Sequence, residues 1–300
     1  MHGLGRARPA ILTITATAQH LAGELPGDLA EQVSRALLED VGTGDVTARL
    51  IAADATARAR VLCRDAALIC GTPWFDETFR QLDPAVQVRW KVGDGARVEP
   101  GTVLCELGGP ARALLTGERT ALNFLQLLSG TATVTARYVA AVAGTGCRIL
   151  DTRKTLPGLR TAQKFAVRCG GGQNHRFGLY DRVLVKENHI AAAGSIEAAV
   201  RNARQLSPGL VVEVEAENLA EVAGALAAHC DIILLDDFPL ATLHEAVKLN
   251  RAARRPAQLE ASGGVSLEKI APIAATGVDF ISVGGLTKHV QAVDLSMRFG

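Results

Sequence analysis

The chain has 300 residues, about twice the size of a common domain, so two domains or one large barrel with an appendage are expected. Its composition, 48% hydrophobic and 21% charged, excludes a disordered or fibrous protein. Lys and Arg total 32 against 31 Asp and Glu, and this net charge of +1 argues against a dedicated nucleic-acid or membrane-surface protein.

The amino-terminal segment and the cysteines favour a cytoplasmic protein. Arg6 and Arg8 precede an apolar run at residues 11–18, as in a secretory signal, but threonines interrupt that run. We therefore expect a leader before the first helix. No stretch approaches the roughly 18 apolar residues of a membrane span. The six cysteines form no CxxC pair, and a chain of this size can bury them as reduced thiols.

Residues 1–129 are predicted to form an α+β sandwich domain. Residues 28–39 have the apolar spacing of a helix, and residues 86–107 contain short apolar runs broken by Gly and Pro, a strand–turn–strand pattern. A second helix is predicted over residues 116–129, ended by Gly130. Arg119 lies on the polar side of that helix, which by itself indicates a solvated face.

From Cys147 onward, the chain alternates strands and helices. Predicted strands cover residues 148–151, 182–186, 210–215, 232–236, 258–261 and 280–283, and predicted helices cover residues 196–206, 219–229, 242–254 and 267–276. Strand starts recur every ~20–35 residues, the spacing of βα units that feed a parallel sheet. Asn218, followed by Glu221, predicts a helix cap. Residues 130–287 are therefore predicted as an open, incomplete TIM-like α/β barrel, with a tail at residues 288–300 that packs back on the first domain.

Six successive strand ends carry residues suited to chemistry. They are Asp151-Thr152-Arg153-Lys154, Lys186, Glu215, Asp236-Asp237, Ser262-Gly263-Gly264 and Gly284-Gly285. Catalytic groups of βα barrels lie at the carboxyl ends of the strands, so we expect these residues to form one site. The two Gly pairs predict a phosphate site, because a β-carbon would hold the backbone away from phosphate oxygens.

Charge is unevenly distributed in this half of the chain. Residues 151–186 contain eight Lys and Arg against two Asp, a net of +6, whereas residues 211–238 contain seven acids and no Lys or Arg, a net of −7. A basic wall facing an acidic wall suits a polyanionic substrate that arrives with a divalent cation. Arg makes bidentate contacts with carboxylate or phosphate, and Asp and Glu offer oxygen ligands to Mg²⁺. Two solvated charged faces are the alternative.

The order and spacing of several motifs resemble the quinolinate phosphoribosyltransferase family. The resemblance covers residues 39–287, and the segments that carry it are DTRKTLPGLR at 151–160, KFAVRCGGGQNHR at 164–176, LVKENH at 184–189, VEVE at 212–215, LLDDF at 234–238 and LEASGG at 259–264. Asp237 stands where many members of the family are expected to have Asn, and it adds a negative charge.

The resemblance implies a Mg²⁺-dependent pentosyltransferase of NAD biosynthesis. Phosphoribosyl pyrophosphate and quinolinate would give nicotinate mononucleotide, pyrophosphate and CO₂. The residues that by position would bind substrate are Arg119, Thr152, Arg153, Lys154, His175, Arg176, Lys186, Glu215, Asp236, Ser262, Gly263, Gly264, Gly284, Gly285 and Leu286.

The resemblance also divides these residues by role. Arg153, His175 and Arg176 would hold quinolinate, and the last six residues from Ser262 to Leu286 would cradle phosphate. The catalytic set would be Lys154, Lys186, Glu215 and Asp236, with Glu215 and Asp236 also as the Mg²⁺ contacts. The family implies a homodimer or higher oligomer in which Arg119 reaches the neighbouring subunit's site.

Three other interpretations compete with this one. A Schiff-base aldolase would use Lys186 or Lys154 as its nucleophile. A relative on the same scaffold could use a different acceptor, although Arg153, His175 and Arg176 favour quinolinate. A carrier or phosphometabolite-binding module would explain the Gly pattern at residues 92–104, but a carrier needs a displayed lysine that the segment lacks.

Overall fold

The computed structural model describes residues 25–300, and the expected leader lies outside the described residues. Within that range, no helix combines the length and the apolar character needed to cross a membrane.

The described residues form the following elements. The helices are α1 (Leu29–Val41), α2 (Thr72–Leu82), α3 (Ala111–Ala141), α4 (Arg160–Cys169), α5 (Glu187–Ala193), α6 (Ile196–Leu206), α7 (Leu219–Ala227), α8 (Leu240–Ala252), α9 (Ile270–Ala275) and α10 (Gly285–Lys288). The strands are β1 (Thr56–Cys63), β2 (Ala67–Leu68), β3 (Gln87–Trp90), β4 (Arg97–Val98), β5 (Val103–Pro110), β6 (Arg148–Leu150), β7 (Val183–Val185), β8 (Val212–Ala216), β9 (Ile232–Asp236), β10 (Gln258–Ser262), β11 (Phe280–Ser282) and β12 (Leu295–Phe299).

The amino-terminal part is an antiparallel sheet packed against helices. The strand order is β12-β1-β5-β3, and β2 pairs separately with β4. Val61 of β1, Phe75 of α2 and Leu125 of α3 meet in one buried apolar cluster. The carboxyl-terminal strand β12 pairs with β1, with Met297 opposite Val61. The last residues of the chain therefore form the edge of the first sheet.

Helix α3 connects the two halves of the molecule. Its first turns pack in the amino-terminal core, and farther along Ala132 and Ala136 pack with Phe165 of α4. The predicted helix end at Ser129 was wrong, because α3 continues through Gly130 to Ala141. A glycine inside a helix costs only about 1 kcal/mol, and long packed helices tolerate it. A domain boundary drawn between residues 129 and 130 therefore falls within a continuous helix.

The second half is a six-stranded parallel sheet in the order β6-β11-β10-β9-β8-β7. The two strands that come first in the chain, β6 and β7, are the two edges, so the ring of strands is open between them. Gln173 fills part of this opening through a parallel bridge to Leu150. The predicted strands are confirmed with shifts of one or two residues at their ends.

The register of this sheet separates an apolar face from a polar one. Val214, Ile233 and Ile281 belong to the face that packs against the surrounding helices. On the opposite face, Lys186 and Glu215 adjoin at the ends of β7 and β8, and Asp236 lies opposite Ser262. Residues two apart on a strand share a face, so these polar residues all project to the inside of the open ring.

Helices α4 and α5 were not predicted. Helix α4 buries Gln163 and Lys164 completely, so its buried face does not read as an apolar stripe. Helix α5 has seven residues, too few for a periodic pattern.

Gly130 tests the packing of α3 directly. A β-carbon at this position would lie 2.2 Å from the backbone oxygen of Gln291, which cannot move away as a side-chain tip could. Gly130→Ala is expected to lower the free energy of unfolding by about 1–3 kcal/mol, measured by denaturant titration. The control is Gly224→Ala in α7, where the nearest atom is the tip of Ile196 at 3.3 Å. An equal loss in both variants would contradict the close approach at Gly130.

Candidate active site

The loop after β6 packs directly on the loop after β11. The Thr152 hydroxyl accepts a hydrogen bond from the Lys154 N–H at 3.1 Å, and the Lys154 carbonyl accepts one from the Thr287 hydroxyl at 2.9 Å. A β-carbon at Gly284 would lie 2.9 Å from Cδ of Lys154. Glycine at this position therefore allows the lysine side chain to extend across the last strand end.

Two charged side chains pair on the opposite side of the opening. Nζ of Lys186, directly after β7, lies 2.5 Å from a carboxylate oxygen of Glu215 on β8. Asp236 ends the next strand, β9. The predicted lysine and acids thus lie at the carboxyl ends of three adjacent strands.

Backbone conformation at the end of β10 requires glycine. Gly263 and Gly264 have φ angles of +98° and +52°. A β-carbon on Gly263 would lie 2.3 Å from Oδ1 of Asp237. Asp237 has a φ of +53° itself, and its N–H donates to the Ser262 carbonyl at 2.9 Å. Asp is one of the few residue types that adopt this conformation without large strain.

The start of α10 is the remaining part of the predicted phosphate cradle. Gly285 is the first residue of this helix, and the side chain of Leu286 is fully buried in the core. The Leu286 N–H donates to the Val283 carbonyl at 3.3 Å, so Leu286 shapes the turn that presents Gly284 and Gly285.

A buried carboxylate, Asp151, holds the loop that leads to the predicted clamp residues. Asp151 follows β6 and accepts hydrogen bonds from Nζ of Lys164, from the Asn174 amide at 2.6 Å and from the His175 N–H at 2.9 Å. Lys164 also donates to the His175 carbonyl at 2.9 Å. Both charged side chains are fully buried. Burial raises the pKa of Asp151 and lowers that of Lys164, and their mutual attraction opposes both shifts.

Three arginines, Arg153, Arg176 and Arg182, form an arginine cluster above this loop. Burial and then the positive charge of Arg153 lower the pKa of Arg176, with a smaller contribution from Arg182. Nε of Arg153 is buried and has no hydrogen-bond partner among residues 25–300. Arg160 fixes the geometry by donating to the carbonyls of Phe177 at 3.0 Å and Arg153 at 3.3 Å. Partly buried like charges with an unused donor indicate a site for an anion.

His175 lies below the arginine cluster and faces two buried glutamates. Its Nδ1 accepts the Arg176 N–H at 2.8 Å, and its Nε2 lies 3.1 Å from Glu213 and 3.5 Å from Glu260. Arg182 lies 3.3 Å from the same Glu213 carboxylate. Burial alone would raise the pKa of Glu213, but its contacts with His175 and Arg182 outweigh burial and lower it. Both ring nitrogens of His175 are thus bound by the protein.

Arg119 is the predicted site residue that lies apart from the others. It is exposed on α3, and within residues 25–300 no hydrogen bond or ion pair connects it to the residues at the strand ends.

The two halves of the chain match two family models. The model described as quinolinate phosphoribosyl transferase, N-terminal domain, matches residues 45–129, and the one described as its C-terminal domain matches residues 131–298. The chain belongs to the quinolinate phosphoribosyl transferase family. The gap between the two matches lies within α3.

Relatives agree with this membership over most of the chain. A probable nicotinate-nucleotide pyrophosphorylase [carboxylating] of Bacillus subtilis is 44% identical over 261 residues, covering 87% of this chain and 89% of that protein. The human nicotinate-nucleotide pyrophosphorylase [carboxylating] is 38% identical, covering 91% of this chain and 92% of that protein. The solved nicotinate-nucleotide pyrophosphorylase from Francisella tularensis superposes with a TM-score of 0.88 at 46% identity, covering 92% of this chain and 98% of that one.

Family membership confirms the resemblance seen in the sequence and the predicted fold class. It leaves the Schiff-base aldolase and the carrier module without support. The contact between Lys186 and Glu215 also disfavours the aldolase, because a Schiff-base lysine must be available as a neutral amine.

Sequence reasoning missed the buried residues that support this transferase site. Glu213 and Glu260 are each two residues before a predicted site residue, Glu215 and Ser262, so strand alternation places them on the same inner face. A glutamate two residues before a predicted site residue on the same strand was the available signal. Lys164 gave no such signal, because it belongs to a helix that the pattern did not predict.

Removal of Lys164 tests the buried pair. Lys164→Met leaves Asp151 as an uncompensated buried charge and is expected to cost about 3–5 kcal/mol of stability near neutral pH. Loss of the lysine raises the pKa of Asp151 further, so the deficit should grow as pH rises and the folded acid is forced to ionise.

The control for this substitution is Lys91→Met. Lys91 pairs with Glu106 at 3.1 Å, but both side chains are about half exposed, so the loss should stay below about 1 kcal/mol. Denaturant titrations at several pH values measure both variants. Equal losses in the two would show that the buried pair contributes no more than a surface pair.

Proposed function

We propose that this transferase joins quinolinate to the phosphoribosyl group of phosphoribosyl pyrophosphate, with loss of CO₂, to make nicotinate mononucleotide for NAD biosynthesis. The observation that carries the proposal is the arginine cluster with its unpartnered buried Nε on Arg153. It is supported by relatives named nicotinate-nucleotide pyrophosphorylase, which this chain matches over nearly their whole length.

Quinolinate matches the basic side of the opening. Its two adjacent carboxylates present a rigid pair of anionic groups, and Arg side chains bind such groups through paired, charge-assisted hydrogen bonds. We assign this contact to Arg153 and Arg176, with Thr152 beside them. His175 then holds the loop below, because its two ring nitrogens are already bound within the protein.

Phosphoribosyl pyrophosphate matches the remaining strand ends. The glycines at residues 263, 264, 284 and 285 bring backbone without side chains to two neighbouring strand ends, which would let a 5′-phosphate approach the main chain closely. Lys154 and Lys186 supply positive charge for the pyrophosphate. Glu215 and Asp236 would bind the ribose hydroxyls.

The donor chemistry of the acidic side fits Mg²⁺. Glu215 and Asp236 offer hard oxygen ligands at adjacent strand ends. The surroundings carry an excess of negative charge: a hydrogen bond with Glu187 and then its charge raise the pKa of Glu217, and Asp236 adds to that shift. We propose that Glu215 and Asp236 hold Mg²⁺, which when bound would neutralise charge on the pyrophosphate.

The chemistry needs no protein nucleophile. The C1–oxygen bond of the ribose breaks as pyrophosphate leaves, and the quinolinate nitrogen forms the new bond to C1. The ring nitrogen is then cationic, which favours loss of the neighbouring carboxylate as CO₂, and the ring carbon takes up a proton. The protein's share is to align the two substrates, which can lower the barrier by roughly 7–11 kcal/mol, and to stabilise the departing charge through Lys154 and Lys186.

We also propose a homodimer in which Arg119 completes the site of the partner. Arg119 is exposed on α3, and one turn earlier Thr116 binds Asp45, which precedes the exposed side chains of Val46 and Leu50. Leu179 and Tyr180, at the tip of the loop between Arg176 and Arg182, are about three-quarters exposed as well. Two such patches, one beside Arg119 and one beside the arginine cluster, suit a contact between two copies of the chain.

A reducing compartment such as the cytoplasm fits the six cysteines. All of them are free and buried, and burial raises the pKa of Cys147 and of Cys230 to about 12, which keeps these thiols unreactive.

The assignment is tested by product formation. Wild-type protein incubated with quinolinate, phosphoribosyl pyrophosphate and Mg²⁺ should form nicotinate mononucleotide and CO₂ in equal amounts, measured by chromatography and gas release. Nicotinate as acceptor should give little product, because it lacks the second carboxylate for the arginine cluster. Product from nicotinate but not from quinolinate would overturn the assignment.

One arginine variant and one control variant test where quinolinate binds. Arg153→Ala should raise the KM for quinolinate at least about tenfold and leave the KM for phosphoribosyl pyrophosphate within about threefold, because it removes a contact to one substrate only. Arg201→Ala, on the exposed face of α6, should match the wild type. Equal changes in both KM values of Arg153→Ala would contradict the clamp.

Mixing two inactive variants tests the role of Arg119 across subunits. Arg119→Ala and Lys186→Ala each disable every site in a homodimer. In a mixed dimer, one site regains both residues if Arg119 acts on the partner, so a random mixture should recover about 25% of wild-type activity. Recovery near zero, with mixed dimers detected by native mass spectrometry, would place Arg119 in the site of its own chain or outside the site.

A further inference from the structure

A layer of charged side chains lies beneath the arginine cluster, outside the residues assigned above to the substrates. It consists of Glu213 on β8, Glu260 on β10, His175 and Arg182. The two glutamate side chains are completely buried, and His175 is nearly so. The ligand atoms of His175, Glu213 and Glu260 lie within 4.8 Å of one another.

The two glutamates have unequal surroundings. Glu213 lies 3.1 Å from Nε2 of His175 and 3.3 Å from Arg182. Neither oxygen of Glu260 has a hydrogen-bond partner in the part of the chain that the structure describes, and Nε2 of His175 lies 3.5 Å from its carboxylate. Glu213 is therefore the better stabilised carboxylate of the two.

The hydrogen bonds of His175 fix the proton count of this layer. Because Nδ1 accepts the Arg176 N–H, the ring proton is on Nε2, where it faces the glutamates. One imidazole N–H and one guanidinium face two carboxyl groups. Two ionised carboxylates in contact inside the protein would leave one charge without a partner, which is strongly unfavourable.

We propose that Glu260 is held as a neutral carboxylic acid, donating to the ionised Glu213, and that this pair positions His175 and, through it, Arg176 of the quinolinate clamp. The proposal rests on the proposed function for the role of the clamp, but the charge state of Glu260 does not depend on it. Glu260 acts through His175 and is a positioning residue.

The groups that face Glu260 agree with this state. Burial and then the charge of Glu213 raise the pKa of Glu260, and the nearby Ser282 side chain on β11 and Arg182 oppose that shift without cancelling it. On β9 the residue opposite Glu260 is Leu234, which carries no charge. A divalent cation is the other way to compensate two carboxylates, but Arg182 lies against Glu213 and the charge of Arg176 also acts on it, so one proton on Glu260 leaves no carboxylate uncompensated.

Substitution by Gln at each glutamate in turn distinguishes the neutral residue from the ionised one. Glu260→Gln replaces a neutral acid by a neutral amide of the same shape, and kcat/KM for quinolinate should stay within about threefold of wild type. Glu213→Gln removes the charge that holds Arg182 and His175, so kcat/KM for quinolinate should fall at least about tenfold, mainly through KM, while the KM for phosphoribosyl pyrophosphate changes little. Glu260→Ala should behave like Glu213→Gln, because it removes both the carboxyl group and the bulk of the side chain.

Thermal unfolding supplies a readout that needs no activity. Free Glu ionises near its ordinary pKa of 4.5, whereas burial and the charge of Glu213 raise the pKa of folded Glu260. The folded state thus binds more protons than the unfolded state, and the wild type loses stability as pH rises through this window. Glu260→Gln cannot ionise, so its Tm relative to wild type should increase as pH rises above about 5. The control Glu106→Gln, at a half-exposed position, should show a flat difference.

Three results would overturn the proposal. A Tm difference for Glu260→Gln that is flat with pH would mean that Glu260 is ionised. A larger loss of kcat/KM in Glu260→Gln than in Glu213→Gln would reverse the roles of the two residues. One equivalent of divalent metal retained by purified wild-type protein and lost in both Gln variants would identify a cation in place of the proton. If the wild type makes no product from quinolinate, the proposed function fails, and the Tm comparison still tests the charge state.

Discussion

Four hydrogen bonds meet at one buried ion pair, Asp151 with Lys164, and the rest of the site is built on it. Asp151 is the first residue beyond β6, and Lys164 belongs to the helix that packs against α3. Together they bind both backbone polar groups of His175. A buried pair of this kind contributes little net stability, but it is costly to break, so it specifies one arrangement of the loop. Arg176 is the residue after His175, so the same contacts set the position of its backbone.

The near-zero net charge of the chain hides a strong local separation. The arginine cluster and the two site lysines lie around the opening of the sheet, and Glu215, Asp236 and the nearby acids lie at the ends of the adjacent strands. Below both is the layer of His175 and its two glutamates. The inner face of the sheet thus changes from a proton-balanced buried layer to a charged rim. A charged rim above a buried layer suits highly anionic substrates, because the rim binds their charges and the site can still exclude water during the reaction.

Much of this could be predicted from the sequence, for physical reasons. Strands buried on both sides read as apolar runs, and the residues after them are forced to one edge of a parallel sheet, so Lys186, Glu215 and Asp236 could be placed together in advance. The predicted cap of Asn218 is also observed, with its side chain accepting the Glu221 N–H. Local signals failed at Gly130, where tertiary packing keeps the helix continuous. They could mark Glu260 as a glutamate inside a strand but not its charge state, which depends on burial and on a partner distant along the chain.

The central claim is that the pre-formed network of Asp151 presents Arg153 and Arg176 to a dicarboxylate. A crystal structure of the protein with quinolinate alone tests it most directly. The account predicts both carboxylates of quinolinate within hydrogen-bond distance of these two arginines, Nε of Arg153 included, and an unchanged contact between Asp151 and the His175 N–H. Quinolinate bound elsewhere, or bound only after the loop has released Asp151, would contradict it.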